Sequence, residues 1–571
     1  MKDTLPVATT SPSDVDVSKT SGTHGHGVFH ALEGHLNPVD TSRRDWFIFL
    51  MLCLAVATIT YLPAFDSGFV SDDFSLISGV DRGGPFGVWT RSGSDFFRPV
   101  VAASLYMNYA FSGLDAVAYH VTNVAMHVLN AVLVAMLAWQ LLAVESRVRD
   151  ARLISFGAGL LFLLFCSHTE AVSWIAGRTD VIATLFSLCA LIAVVRYAQR
   201  RSIVWGTASI VFGVLALGSK EAAIVLPGIA LAVTALVVRD SDRPVRRRVL
   251  WQVALTGVVI GASYVVIRTL LIGKLIGGYG ELHAHFSPVD AFLNLVLNFP
   301  GRVLFIPFGK ATFAGVSVTR SGVLFAGFAA VVIGVWLFRR VVPLRHLIIA
   351  VALCYGLSVL PVLNLYVSAI DTQGERLLYL PSVFVALGVV LVLATVVGRR
   401  TLIVALVGYT VVQGVWLNSA NRRWLEAGSV VTRILDDYRA MASHGPTTII
   451  NLPDHVGGAY VFRSGFDPAC RLHGLPTHAD GLNVLVRNGI EHASDSSAVE
   501  LGPESLRLIV QSPTSFVAPL PPFGDSSILL ESRSRNELEV FLGQAQRVGT
   551  QFAYFSRGGL VRLNQNDIRR N

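Results

Sequence analysis

The chain has 571 residues, of which 53% are hydrophobic and only 15% charged, with a net charge of +8 and a mean hydropathy of +0.57. So little charge over so much apolar sequence excludes a soluble globular protein, and recurring apolar runs of about 18 or more residues mark a polytopic α-helical membrane protein. Unbroken runs rather than alternation exclude a transmembrane β-barrel, and the arginines lie in short loops instead of on one soluble face, which excludes a nucleic-acid partner.

Residues 1–45 are polar and rich in Ser, Thr, Asp, Gly and His, and read as a disordered cytoplasmic tail without a cleavable signal peptide. His24, His26, His30 and His35 belong to that tail rather than to a metal site. Eleven apolar cores follow, at 46–65, 121–143, 153–168, 181–195, 203–218, 223–238, 249–267, 322–338, 347–366, 378–397 and 401–418. Arginine clusters stand before the first span and after the second, fourth, sixth, eighth and tenth, among them Arg43 and Arg44, Arg149 and Arg152, Arg239 to Arg248, and Arg399 and Arg400. The excess of Lys and Arg on cytoplasmic loops places these clusters inside and the C-terminal tail outside.

Two loops on the outer side are then long, 66–118 and 268–321. The first carries two adjacent acids in Phe69-Val-Ser-Asp72-Asp73, and its stretch from Phe96 to Phe111 reads as short helices lying on the membrane. The second contains an apolar run from Ser287 to Phe308, interrupted by Pro300 and Arg302, which reads as a helix at the interface or dipping into it. Residues 419–571 read as a small α/β extracytoplasmic domain, with an amphipathic helix from Arg422 to Met441 and strands at 447–452 and 507–510. The five cysteines show neither a disulfide framework nor zinc-ligand spacing.

Ionisable side chains within or beside spans are costly and are functional candidates for that reason. His120, Asn123, His127 and Asn130 share one face of the second helix, which either lines a cavity or hydrogen-bonds neighbouring helices. Between the third and fourth spans come His168 and Glu170, then Arg178 and Asp180, the last two spaced to pair with each other. Lys220 and Glu221 sit in a tight turn where they too can pair, and Glu375, Arg376 and Tyr379 open the tenth span. All these sets fall on the side of Asp72 and Asp73.

The ordered set Phe69-x-x-Asp72-Asp73, Phe97-Arg98-Pro99, Tyr119-His120-x-x-Asn123-x-x-x-His127, His168-Thr-Glu170-Ala-Val-x-Trp174-x-x-Gly177-Arg178-x-Asp180, Ser219-Lys220-Glu221 and Glu375-Arg376-x-x-Tyr379-Leu-Pro381 resembles the membrane core of the transmembrane and tetratricopeptide-repeat O-mannosyltransferases. That family belongs to the GT-C superfamily. The resemblance covers roughly residues 46–420, which makes 46–418 a GT-C-like domain, and it stops before the repeats, for which this chain has its own tail.

The resemblance implies an inverting transfer of a mannose-like sugar from a polyprenyl-monophosphate donor to an acceptor hydroxyl on a protein or glycan, at the outer face of the bilayer. It implies Asp72, with Asp73 beside it, as the catalytic acid pair. A phosphate leaving group calls for cations, and Arg178, Arg376, Lys220 and Arg98 are the candidates. His120, Asn123, His127, His168, Glu170, Asp180, Glu221, Glu375 and Tyr379 are expected to line the cavity. No cofactor or essential metal is expected, although paired acids near histidines have the donors for a divalent ion. The absence of any Asn-x-Ser/Thr sequon points to a bacterial plasma membrane. A flippase of lipid-linked saccharide is the rival from another class. It predicts polar residues at mid-membrane depth, whereas these crowd at one surface. A GT-C transferase acting on lipid A or extracellular polysaccharide is the rival within the class.

Overall fold

The computed structural model describes residues 42–86, 96–145, 148, 150–273, 287–306, 310–313, 316–339, 344–501, 505–512, 515–520, 529–541 and 551–563. The tail expected to be disordered, with its histidines, lies outside the described residues except for its last few positions.

Helix α1 (Arg43–Phe65) starts from a capping box in which Ser42 and Asp45 satisfy each other's backbone N–H groups. Two helices, α2 (Asp72–Gly83) and α3 (Pro99–Ser112), follow in the first long loop. The bundle continues with α4 (Ala116–Leu142), α5 (Ala151–Leu164), a one-turn α6 (Thr169–Val172), α7 (Arg178–Arg200), α8 (Ile203–Leu217), α9 (Leu226–Val237) and α10 (Arg243–Ile272). Two short helices, α11 (Pro288–Leu293) and α12 (Phe299–Leu304), are joined by a π-helical turn at Asn294–Asn298. An antiparallel ribbon of β1 (Lys310–Phe313) and β2 (Val316–Thr319) leads into α13 (Arg320–Arg339) and α14 (Arg345–Val359). The helical region ends with α15 (Tyr379–Val396) and α16 (Arg399–Ala442).

Seven described helices are long and apolar enough to cross a membrane, and the bent pair Ala151–Leu164 and Cys166–Val172 makes an eighth if it is one span. Three shorter apolar helices, Ile203–Leu217, Glu221–Val237 and Arg320–Gly334, occupy the other expected positions. The segment α11–α12 is not among these candidates. Its end instead enters the bundle, with Phe299 to Leu304 all buried. Ion pairs from Arg152 to Asp45, Arg239 to Glu145 and Arg399 to Asp150 tie the arginine-rich loops together at one end.

The last apolar span and the amphipathic helix expected after it are a single element. No Pro interrupts 399–442, so α16 runs for 44 residues, about 66 Å, out of the bundle. Its far half packs on the C-terminal sheet through Trp424, Val431, Ile434 and Tyr438. That sheet has the order β12-β11-β3-β5-β8, from β3 (Thr447–Val456), β5 (Asn483–Ile490), β8 (Val517–Pro519), β11 (Gln551–Ser556) and β12 (Gly559–Arg562), with β11, β3 and β5 parallel. A second, antiparallel sheet has the order β6-β7-β10-β9, from β6 (Ser496–Leu501), β7 (Ser505–Gln511), β9 (Leu529–Ser534) and β10 (Glu537–Phe541). Both expected strands therefore exist, as β3 and β7. Residues 457–460 form a tight hairpin from β3 to β4 (Ala459–Tyr460). Gly457 and Gly458 both have positive φ, as a two-residue hairpin turn demands.

Candidate active site

Asp72 and Asp73 open α2, where carboxylates favour the positive end of the helix. The structure separates their roles. Asp73 is fully buried, and its two oxygens accept the N–H groups of Val70 (3.0 Å) and Ala176 (2.7 Å), which pins the first loop to the turn before α7. Asp72 is half-buried, and its Oδ1 accepts the hydroxyl of Ser464 from the C-terminal domain.

Burial is the largest influence on the Asp73 carboxyl and, with the charge of Asp72 beside it, pushes it up to about 8 against the two N–H donors and Arg178. Below the ordinary 3.8, folded and unfolded chains both hold this proton. Between 3.8 and about 8 the unfolded chain gives it up first, so stability falls as pH rises through that window. Thermal unfolding in detergent is expected to show this fall between about pH 5 and pH 8, and Asp73→Asn to flatten it. Identical slopes in the two proteins would show that Asp73 is not the group responsible.

The turn from Cys166 to Gly177 is wound so tightly that a Cβ on Gly177 would stand 2.2 Å from the Glu170 carbonyl oxygen. Asn123 of α4 fixes it by donating to the carbonyls of Val172 (3.1 Å) and Trp174 (3.3 Å). Arg178, just beyond, is fully buried. Its guanidinium donates to Asn123 Oδ1 (2.7 Å), Asn108 Oδ1 (2.6 Å), Ser104 Oγ (3.1 Å) and the Tyr119 carbonyl (3.0 Å). Arg178 thus binds α3, α4 and α7 to one another and presents no open face to a ligand.

The expected neighbour pairs do not form. Asp180 pairs with Lys220 (2.6 Å, both buried), and Glu221 takes a two-pronged grip from Arg98 (2.6 and 3.1 Å). Adjacent residues point to different sides of a turn, so each charge meets a partner from another loop instead. Lys220 is 4% exposed and committed to Asp180, whereas Arg98 retains a partly exposed side chain.

Glu375 and Arg376 also look apart. Arg376 pairs with Glu170 (3.2 Å), donates its N–H to the same carboxylate (2.9 Å), and lies over the Trp174 ring at 4.7 Å. Tyr460 of β4 donates its hydroxyl to Glu170 (2.7 Å). Glu375 pairs with Arg302 of α12, which also donates to the Asp371 carbonyl (2.8 Å). Arg302 is 2% exposed, and among the described residues its Nε and Nη1 have no hydrogen-bond partner.

The face of α4 resolves toward hydrogen bonding. His120 meets Ser67 (3.1 Å) and the Gly68 carbonyl, His127 meets the Tyr379 hydroxyl (2.6 Å) and the Leu163 carbonyl, and Asn130 also donates to Tyr379 (3.1 Å). His168 is bonded to Ser382 (2.8 Å). These five side chains, with Asn123, join helices, and none of the five is exposed. Among the described residues no three His, Cys, Asp or Glu side chains are grouped to hold a metal ion.

Several residues at this site were not singled out from sequence. Arg302 carried a signal, as a charge inside an apolar run. Trp174 stood in a recognised pattern, where it packs against Trp424 and Tyr460. Arg463 and Ser464 carried none, because the tail has no pattern to mark them. Arg463 grips Asp454 (2.6 Å), donates to Gln373 (2.7 Å), and lies over Tyr460 at 4.3 Å. Burial would raise the Asp454 carboxyl, but His455 and Arg463 outweigh it and hold it at about 2.

No family model matches the chain. A protein O-mannosyl-transferase of Caenorhabditis elegans is 29% identical over 187 residues, which is 29% of this chain and 26% of that protein. The Tmtc1 protein O-mannosyl-transferase of Drosophila melanogaster is 29% identical over 188 residues, 30% of this chain and 21% of that protein. TMTC2 of Mus musculus, also a protein O-mannosyl-transferase, is 36% identical over 113 residues, 20% of this chain and 13% of that protein. The match therefore spans about a quarter or less of these relatives. Two crystal structures of ArnT from Cupriavidus metallidurans align with the chain. The apo form has a TM-score of 0.42 and 16% identity, over 70% of this chain and 82% of that one. The form bound to undecaprenyl phosphate has a TM-score of 0.45 and 14% identity, over 87% and 98%. The chain is a polytopic membrane protein that resembles, over the stretch matched, the protein O-mannosyl-transferases.

Proposed function

We propose that the chain is an inverting glycosyltransferase that moves a sugar, mannose-like by resemblance, from a polyprenyl-monophosphate donor to an acceptor hydroxyl outside the cytoplasm. The observation that carries the proposal is the division between the two acids. Asp73 is spent on backbone N–H groups, whereas Asp72 keeps a half-buried carboxylate at the start of α2. Asp72 takes the proton of the acceptor hydroxyl as that oxygen bonds to the anomeric carbon. The bond from that carbon to the donor phosphate breaks on the opposite face, and the phosphate departs on its lipid with the electron pair. Arg376, partly exposed and backed by Glu170, is the cation best placed to steady the departing charge, with Arg98 second. The domain at 419–571 stands on the same side as the acids, because Ser464 and Tyr460 reach Asp72 and Glu170.

Mass spectrometry of glycans and proteins from a strain deleted for this chain tests the proposal. Loss of one hexose modification is expected, and an unchanged profile under conditions where the chain is expressed would overturn it. Arg376→Ala is expected to lower kcat/KM for the lipid donor by roughly 10- to 100-fold and to leave acceptor saturation nearly as it was. Unchanged donor kinetics would move the phosphate to another cation.

A further inference from the structure

The residue in front of Asp72 is strained. Ser71 has φ 49° and ψ −119°, a conformation that residues with a side chain adopt only where their surroundings impose it. Its surroundings come from one segment of the C-terminal domain. The Ser71 N–H donates to the Val461 carbonyl (2.8 Å), and its Oγ accepts the Ser464 N–H (3.3 Å). Gly465, with φ +81°, passes so close that a Cβ there would stand 2.1 Å from the Ser71 carbonyl oxygen. The side chains agree: Phe462 stacks on Phe74 of α2 at 6.1 Å, and the Ser464 hydroxyl binds Asp72.

The segment is itself firmly held. Val461 and Phe462 donate their N–H groups to the carbonyls of Asp454 (2.9 Å) and Pro453 (3.0 Å) in β3. Arg463 is locked onto Asp454, and Arg487 of β5 donates to the Arg463 carbonyl. The first loop therefore rests against a segment anchored to two interior strands, β3 and β5.

We propose that Val461–Gly465 is the positioning element of Asp72. By docking, it forces Ser71 into the conformation that starts α2 at Asp72. It also supplies the Ser464 hydroxyl to Oδ1, which leaves Oδ2 to face the acceptor. The proposal rests on Asp72 being the base. It makes the tail a working part of the site, with Ser464 a positioning residue. A side chain that merely fills space at this contact would not select one carboxylate oxygen, and it would not impose strain on the residue before it.

The test uses the full-length protein in membranes supplied with radiolabelled polyprenyl-phosphate mannose, and the purified full-length protein for hydrogen exchange. Ser464→Ala is expected to lower kcat about 30-fold with donor KM within about threefold, and Ser464→Thr, which keeps the hydroxyl, to restore most of it. Gly465→Ala is expected to lower kcat about 100-fold and to speed amide exchange in residues 72–76 about tenfold, with exchange in β3 and β5 unchanged. Wild-type kcat in both Ser464→Ala and Gly465→Ala, with Asp72→Asn inactive, would overturn the positioning role alone. Retained activity in Asp72→Asn would overturn the base assignment, and the positioning role with it. If these membranes do not use the probe, the exchange result decides: unchanged protection at 72–76 in Gly465→Ala overturns the docking.

Discussion

Asp72→Asn is expected to abolish sugar transfer, with kcat down by roughly 10³-fold or more, in a protein that still folds and inserts. The substitution is nearly isosteric, and the amide oxygen still accepts the Ser464 hydroxyl that Oδ1 accepts now. It removes only the capacity to take a proton. The contrast with Asp73 makes the result decisive. Asp73 is fully buried and holds two backbone N–H groups, so its loss disturbs folding first. Purified yield and thermal unfolding in detergent, measured beside transfer, separate the two outcomes. An Asp72→Asn protein that transfers sugar at the normal rate removes Asp72 from the chemistry.

Arg178→Ala is expected to cost the protein its fold rather than its affinity for the donor. The guanidinium satisfies Asn123, Asn108, Ser104 and the Tyr119 carbonyl from a fully buried position. Hydrogen bonds from a charged donor are worth about 1.5–3 kcal/mol each, and the truncation also leaves a cavity and unpaired acceptors. The sum is on the order of 5 kcal/mol or more, comparable to the whole stability of many domains. Low yield and a sharply reduced melting temperature in detergent are the expected readout. A folded variant with weakened donor binding alone would return Arg178 to the phosphate. Arg178→Lys is expected to recover little, since a single ammonium cannot reach acceptors on α3 and α4 in the geometry of a planar fork.

Much of the architecture was legible because the bilayer leaves a strong trace in sequence. Apolar segments of the right length became helices, the arginine-rich loops met at one end through Arg152–Asp45, Arg239–Glu145 and Arg399–Asp150, and Asp72, Asp73, Glu170 and Asp180 fell at the opposite helix ends. The polar stripe on α4 was legible as a face, but its purpose was not. Period alone shows which side chains share a surface. What that surface meets, here Tyr379, Leu163 and Val172, depends on neighbours more than thirty residues away. The charge pairs show the same gap. Arg178 and Asp180 stand two apart and invited pairing, yet the first binds amides and carbonyls and the second takes Lys220.

The sequence by itself determined that this is a helical membrane protein, that its charges concentrate at the ends of the spans, and that Asp72 and Asp73 stand among apolar residues just beyond the first helix. Those features are local or compositional, and hydropathy reports them directly. Only the tertiary structure decided which acid is buried on backbone N–H groups and which stays half-buried, which cations remain partly exposed, and that the C-terminal region reaches Asp72. Asp73 is consumed by an N–H from Ala176, and Asp72 is held by a hydroxyl from Ser464, 392 positions further along the chain. Such partners leave no periodicity in sequence, because a hydrogen bond needs two groups near in space and nothing requires them to be near in the chain.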